Sequence, residues 1–384
     1  MFRPHRNVLS VLAASLLFVS SSAPVRAETG VSTERILLGQ SASLTGPLAT
    51  VTEQLLIGAR AYFNEVNAKG GVHGRRIDLI TRDDRYDAAM AAENTLQLIQ
   101  KDQVFALFGY VGWPTTEASV PVFTQAKVPF FAPLTGAPSI YKDFNRYLFT
   151  VRASYFGEYQ HFIGSLKLGG IKAVALIYQR NIYGEEALHE VERMLEKTYI
   201  AYQPMGLDLD SANLPSIIKQ LMKRPPDVIF MLNSQPLANA ALVKGMRAAG
   251  FLGHFFGVSF VGQRDLLDTL GTMARGISTT QVVPSPWRVS IPLVAEYRKT
   301  MLRAGRSEFT FSSMEGFIAA RVLVEGLRRA GRELTREKLI RALESINEGN
   351  FDGRGFPINY SQTDHHGSDF VDTATVTSNS RFIN

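Results

Sequence analysis

The stretch from residue 104 to residue 135 constrains the fold of this chain more than any other part of the sequence. Residues 104–108 form a short apolar run, residues 115–127 have the length and apolar spacing of a helix, and residues 128–132 form a second apolar run. Strand, helix and strand in this order predict a parallel βαβ unit. Both strands then end at one edge of the sheet, where ligands of open α/β sheets collect. The two loops that follow these strands are therefore predicted to form part of a small-molecule site.

The first of these loops carries chemistry that suits an anion. It offers the indole of Trp113, the hydroxyl of Thr115 and the free N–H groups of a helix start. Such N–H groups favour a carboxylate or another anion. Thr115 is also expected to be the N-cap of the helix. The alternative is that the Trp113 side chain only covers the hydrophobic core and does not contact a ligand.

The alternation of strands and helices occurs twice along the chain, over residues 35–152 and again over residues 156–259. This repetition predicts the α/β class with two doubly wound, Rossmann-like domains. The tail breaks the alternation, because long helices are predicted near 293–304, 313–331 and 335–345. An antiparallel strand pair is predicted from residues 356–360 and 369–377. Elements that follow both sheets suggest that the chain crosses between the domains again.

The N-terminus has the layout of a secretory signal peptide. Arg3 and Arg6 precede the apolar run of residues 8–19, and residues 25–27 supply a small-x-small cleavage site, so cleavage is expected near Ala27. The apolar run is too short for a membrane anchor, which needs about 20 residues. We expect export to the periplasm, without membrane insertion of the mature chain. The absence of cysteine excludes disulfides and thiolate metal sites.

Charge and motifs exclude several classes of function. Residues 1–27 carry three of the 41 basic residues and no acidic one. The mature chain therefore has 38 basic and 35 acidic residues, and its net charge is near +3. The sequence shows no basic face with interleaved aromatic residues, which nucleic-acid binding would need. No glycine-rich phosphate motif is present, and Gly257-x-Ser259-x-x-Gly262 is only a near miss of a hydrolase elbow. No cofactor or metal is expected: Asp83–Asp84 is interpreted as a strand-end turn, and residues 364–366 as a surface turn.

Several short segments together resemble the type I periplasmic solute-binding proteins, the leucine/isoleucine/valine-binding family of ABC transporters. The resemblance covers residues 36–384. The segments are Gly39-Gln40-Ser41-Ala42-Ser43-Leu44-Thr45-Gly46, Gly70-Gly71-Val72-x-Gly74-Arg75 with Asp83-Asp84, Gly109-x-x-Gly112-x-Pro114-Thr115-Thr116, Arg152-Ala153-Ser154-Tyr155, Tyr183-Gly184, Pro226-Asp227-Val228-Ile229 and His366-Gly367-Ser368.

This resemblance implies two lobes, joined by three crossover strands, that close on a ligand like a hinged clamp. Lobe one is expected to comprise residues 28–152 and about 285–346, and lobe two residues 153–284 and about 347–384. The crossovers are expected near 152–155, 283–286 and 346–351. The implied partners are a small-molecule ligand and the transmembrane permease subunits of an ABC importer, with no nucleic acid. The protein is expected to be a monomer and not an enzyme.

The resemblance also implies a set of ligand-binding residues. Lobe one would bind a carboxylate through its two loops, and lobe two would add an aromatic ring and polar groups. The predicted residues are Ser43, Leu44, Gly112, Trp113, Thr115, Leu134, Thr135, Gly136, Tyr155, Tyr183, Ser234 (or Gln235) and Ser259. A solvent-filled gap is expected between Trp113 and Tyr183.

One departure from the family pattern bears on the ligand. Leucine-type binders place a carboxylate, which neutralises the ligand's ammonium, at the position that here reads Ser259, and no acid occurs between Asp227 and Asp265. A buried ammonium without a partner costs several kcal/mol. The expected solute is therefore a carboxylate without an amine, aromatic or branched aliphatic. The alternatives are a branched-chain amino acid binding protein and a ligand sensor that feeds a separate receptor.

Overall fold

The structure, a computed structural model, describes residue 1 and residues 28–233, 235–261, 264–377 and 382–383. The predicted signal segment, apart from its first residue, lies outside the described residues, as do Ser234 and Gly262. Within the described residues no helix has both the length and the apolar character needed to cross a bilayer.

The first sheet has five parallel strands in the order β2-β1-β3-β4-β5. Its elements are β1 (Arg35–Ala42), α1 (Ala49–Ala68), β2 (Arg76–Asp83), α2 (Ala88–Gln100), β3 (Ala106–Phe108), α3 (Trp113–Gln125), β4 (Phe130–Phe131), α4 (Pro138–Tyr141) and β5 (Leu148–Phe149). The predicted βαβ unit is confirmed, because β3 and β4 pair in parallel with Leu107 opposite Phe130. Helix α3 begins two residues earlier than predicted, since Pro114 fits a first helical turn.

The second sheet has seven strands in the order β12-β11-β10-β9-β8-β6-β7. Its elements are α5 (Tyr155–Leu168), β6 (Ala173–Gln179), α6 (Ile182–Leu195), β7 (Ala201–Leu207), α7 (Leu214–Lys223), β8 (Val228–Leu232), α8 (Pro236–Ala248), β9 (His254–Gly257), α9 (Arg264–Leu270), a short 3-10 helix (Gly271–Ala274), β10 (Ile277–Gln281), β11 (Asp372–Val376) and β12 (Phe382–Ile383). The α/β class with two doubly wound lobes is thus confirmed. Helix α9 and strand β10 were not predicted.

The tail helices α10 (Pro292–Arg303), α11 (Phe311–Ala330) and α12 (Arg336–Glu344) return the chain to the first sheet. Helix α11 packs closely on α1. A side chain at Gly58 would collide with the Ser313 carbonyl oxygen, and one at Gly316 would collide with that of Leu55. Glycines therefore permit the close backbone approach of these two helices.

The last part of the chain differs from the prediction. Residues 356–360 do not form a strand, and β11 pairs antiparallel with β10 instead. The predicted third crossover near 346–351 also lies elsewhere, because the following residues stay on lobe one. The Phe351 ring lies 4.9 Å from the Arg321 guanidinium of α11, and Tyr360 Oη donates to the Thr150 carbonyl at 2.8 Å. The chain passes to lobe two only after His366, which forms a parallel bridge with Thr150.

The prediction of a surface turn at residues 364–366 is wrong for the histidines. His365 is buried and stacks on Phe149 with ring centroids 3.7 Å apart. Its Nδ1 lies 3.2 Å from the Leu148 carbonyl oxygen, and its Nε2 lies 3.4 Å from Glu344 Oε1. Burial lowers the pKa of His365 to about 4. This histidine therefore belongs to the packing of the crossover region.

Candidate functional site

A cavity of about 170 Å³ lies between the two lobes, at the edge where the parallel strands of both sheets end. Lobe one contributes Leu48, Val51, Tyr86, Val111, Gly112, Trp113, Pro114 and Leu134 to its wall, and the other side contributes Tyr155, Tyr159, Gln179, Asn181, Tyr183, Gly184, Ala187, Leu209, Leu232, Gln235 and Phe260. Among the described residues, no acidic or basic side chain lines this cavity. An engineered protein cavity of about 150 Å³ binds benzene, so the volume suits one ring or one short branched chain.

Aromatic rings from both lobes contribute to the cavity wall. The ring centroids of Trp113, in the first turn of α3, and Tyr183, in the first turn of α6, lie 5.1 Å apart. The ring centroid of Tyr155 lies 5.3 Å from that of Phe260 and 6.3 Å from that of Trp113. The expected gap between Trp113 and Tyr183 is therefore a contact, and the cavity lies beside it. This contact joins α3 of lobe one to α6 of lobe two.

The start of α3 borders the cavity and carries hydrogen-bond donors. Gly112 occupies the N-cap position with φ of 102° and has no side chain to cap the first turn. The N–H groups of a first helical turn have no intrahelical acceptor. The Trp113 Nε1 atom is also buried and, among the described residues, has no hydrogen-bond partner. These donors and the positive end of the α3 dipole favour an anion here.

Ser259 lies outside the cavity wall, in a buried polar network behind it. Its N–H donates to Glu158 Oε2 at 2.7 Å, and its hydroxyl donates to Glu158 Oε1 at 2.9 Å. Arg152 Nη2 lies 3.0 Å from the same Oε1 atom, and Arg152 Nη1 lies 3.4 Å from Glu315 Oε1. Thr280 completes the network by donating to Glu158. The residue expected to face the ligand thus holds a helix carboxylate in place.

The charges of this network balance only in part, because one guanidinium serves two carboxylates. Burial acts to lower the pKa of Arg152, but Glu315 and Glu158 together outweigh it and raise that pKa. Burial raises the pKa of Glu315, and Arg152 opposes this shift. The guanidinium also lies 5.6 Å from the Tyr155 ring centroid, on a residue of the cavity wall. The network therefore supports one side of the cavity.

Five of the predicted site residues line the cavity: Gly112, Trp113, Leu134, Tyr155 and Tyr183. Gln235, named as the alternative to Ser234, lines it as well.

Five further predicted residues do not line the cavity. The Ser43 hydroxyl donates to the Thr45 carbonyl at 2.6 Å, and Leu44 is exposed. Thr115 is not the N-cap: its hydroxyl donates back to the Val111 carbonyl at 2.7 Å. The Thr135 hydroxyl faces Ala137 N at 3.3 Å, and Gly136 passes so close to Tyr155 that a side chain would not fit.

Several cavity residues were not predicted, among them Gln179, Asn181, Tyr86 and Phe260. Gln179 ends β6, and Asn181 caps α6 by accepting a hydrogen bond from Gly184 N at 2.8 Å. The Asn-x-x-Gly spacing after an apolar strand was the available signal for this cap. Tyr86 follows the Asp83–Asp84 turn, and Phe260 follows Ser259. Nothing in the local pattern distinguishes these two rings from core residues.

Comparison with known proteins supports one family. A family model described as periplasmic binding protein matches residues 36–381. A leucine-, isoleucine-, valine-, threonine- and alanine-binding protein of Pseudomonas aeruginosa is 21% identical over 345 residues, which cover 86% of this chain and 88% of that protein.

Two solved structures are also similar. A possible leucine/isoleucine/valine-binding protein from Rhodopirellula baltica SH 1 has a TM-score of 0.82 at 29% identity, covering 93% of this chain and 98% of that one. A substrate-binding periplasmic protein from Ralstonia solanacearum has a TM-score of 0.81 at 30% identity, covering 91% and 99%.

Proposed function

Because this chain belongs to the periplasmic binding protein family, we propose that its interlobe cavity receives a small organic carboxylate without an ammonium group. The protein is the substrate-binding component of an ABC importer. Members of the family are periplasmic, bind small molecules and work with transporter permeases.

The observation that carries the proposal is the unpartnered Trp113 Nε1 beside the uncapped start of α3. Pro114 has no N–H, so the first turn offers the amides of Trp113 and Thr115 in addition to the indole N–H, and a carboxylate supplies two oxygens with negative charge. Hydrogen bonds to a charged acceptor contribute about 1.5–3 kcal/mol each. A neutral apolar molecule would leave these donors unsatisfied.

The charge of the wall argues against an ammonium. No Asp or Glu is among the described cavity-lining residues. Glu158, the carboxylate beside Ser259, lies behind the cavity wall, and its oxygens already accept from Ser259, Thr280 and Arg152. It therefore offers an ammonium in the cavity no direct contact. Desolvating that ammonium would therefore cost several kcal/mol without an equal return.

The size and the aromatic wall favour an aromatic acid with one ring or a short branched acid. Trp113, Tyr155, Tyr183 and Phe260 line the cavity. A ring of the solute would gain contact energy against them beyond its buried area, by about 0.5–1.5 kcal/mol per pair.

A branched-chain amino acid is the second candidate. The relative from Pseudomonas aeruginosa is named for leucine, isoleucine, valine, threonine and alanine. The side chain of leucine would also fit the apolar wall, and its carboxylate would use the same donors at α3.

Two matched ligand pairs test the proposal by calorimetric titration. 4-Methylpentanoate and leucine share one skeleton and differ in the ammonium group. Benzoate and benzamide differ in the negative charge. We expect each acid to bind at about micromolar Kd, or −8 kcal/mol, and its partner at least tenfold more weakly. Tighter binding of leucine than of both acids would instead support the second candidate.

We further propose that the solute favours the closed form because it touches both lobes only there, and that it is released unchanged. The moving bodies would be residues 28–152 with about 285–366, and residues 153–284 with about 367–384. We propose that the protein acts as a monomer and is exported by a signal peptide cut near Ala27. N-terminal sequencing of the periplasmic protein should give Glu28 as the first residue.

A further inference from the structure

The turn after β2 holds an unusual backbone conformation next to the cavity. Arg85 and Tyr86 are consecutive non-glycine residues with positive φ, 53° and 65°. Side chains of L-residues disfavour this region, and residues held there cluster at functional sites.

Two carboxylates hold this turn in place. Asp83 Oδ1 accepts the Arg85 N–H at 3.0 Å, and Asp84 Oδ1 accepts the Tyr86 N–H at 2.9 Å. Asp84 is fully buried, and its Oδ2 accepts the Ser41 hydroxyl at 2.9 Å. The turn is thereby fastened to the end of β1, and the position of Tyr86 is set by the scaffold of lobe one.

The fixed backbone places the Tyr86 ring over the start of α3. A side chain at Gly112 would collide with Tyr86 Cε2, so the ring fills the space that the N-cap glycine leaves open. Tyr86 and Gly112 both line the cavity. The ring therefore bounds the cavity at the start of α3.

We propose that Tyr86 is a specificity-determining residue that sets the upper size limit of the solute. It does so as a rigid wall of lobe one, because its backbone cannot relax without breaking the hydrogen bonds to Asp83 and Asp84. This inference rests on the proposed function only in taking the interlobe cavity as the solute site.

The test compares Tyr86→Gly with Tyr86→Phe. Glycine adopts positive φ freely, so Y86G removes the ring without adding backbone strain. Y86F keeps the ring. Titrations use two size series, benzoate with 2-naphthoate and leucine with phenylalanine, so that the result does not depend on which solute class binds. Circular dichroism and the melting temperature of each variant report on folding.

In whichever series binds, we expect the wild type and Y86F to bind the smaller ligand with at least tenfold higher affinity than the larger one. In Y86G this preference should fall at least tenfold, mainly because the larger ligand gains affinity. An unchanged preference in a folded Y86G would overturn the role of Tyr86 while leaving the proposed solute class standing. A wild type that binds none of the four compounds would overturn the cavity as the solute site, and this inference with it.

Discussion

Arg152 Nη2 lies 3.0 Å from Glu158 Oε1, and both side chains are sealed from solvent where the chain first passes from lobe one to lobe two. Glu315, from a helix packed on lobe one, shares the same guanidinium. Ser259 and Thr280 tie the pair to the second sheet. The network therefore joins the first crossover to both lobes behind the cavity.

Replacing Arg152 by methionine should destabilise the protein by about 3–5 kcal/mol, because it leaves Glu158 and Glu315 buried without a cation. Urea denaturation followed by circular dichroism measures the loss. Arg180→Met is the matched control, since Arg180 pairs with Asp208 at 2.8 Å on the surface and should contribute less than about 1 kcal/mol. Equal losses in the two variants would show that the buried network is not needed for stability.

Trp113 should report ligand binding by fluorescence. The chain has two tryptophans, and Trp287 packs on Phe311 away from the cavity wall. In the W287F variant the emission of Trp113 should change in intensity or wavelength as benzoate is added, because the ligand alters the surroundings of its indole. In W113F the same titration should leave the emission of Trp287 unchanged. A response that persists in W113F would place the ligand elsewhere.

Loss of the indole N–H should also weaken binding. W113F keeps a ring but removes the Nε1 donor, and we expect about 10–100-fold weaker binding of benzoate by calorimetry. L44A is the control, because Leu44 was predicted from sequence as a site residue and is exposed away from the cavity wall. It should bind benzoate as the wild type does. A larger loss in L44A than in W113F would contradict the site described above.

Asp84 should make stability depend on pH. Burial raises the pKa of Asp84 to about 6, from an ordinary 3.8. Since the folded state prefers the protonated group, this contribution to stability is present below pH 4 and is lost as the pH rises through 6. The asparagine of D84N does not ionise in this pH range. The free energy of unfolding of D84N relative to the wild type should therefore rise by up to about 3 kcal/mol from pH 4 to pH 8. A flat difference between the two proteins would contradict an ionisable Asp84 in this site.

His365 should make stability depend on pH in the direction opposite to Asp84. Its pKa is lowered from 6.5 to about 4 by burial, so the folded state prefers the neutral ring. The unfolded chain takes up a proton first, and stability is lost as the pH falls from about 6.5 to about 4. H365F keeps a ring against Phe149, and its stability relative to the wild type should rise by about 3 kcal/mol on acidification over this range. Thermal unfolding at half-unit pH steps measures both variants, and slopes of the same sign in D84N and H365F would refute one of the two assignments.

The sequence was sufficient to predict the two α/β lobes and the cavity edge. Apolar runs at strand length and helical spacing are local properties, and the parallel pairing of β3 and β4 follows from the helix between them. Loops after such strands meet at one edge, so Gly112 and Trp113 could be assigned to the cavity from their positions in the chain, whereas Tyr183 was assigned from the family resemblance.

Tertiary structure alone decided the contacts between residues far apart in the chain. Ser259 faces Glu158, which lies 101 residues earlier, and not the cavity, because α5 brings a carboxylate into reach of its N–H. Tyr86 reaches the cavity because two carboxylates hold a left-handed turn that no periodicity reveals. His365 is buried because Phe149 offers it a ring to stack on. Local pattern determines which elements form, but side-chain contacts depend on the packing of distant segments, and only the folded chain shows which atoms meet.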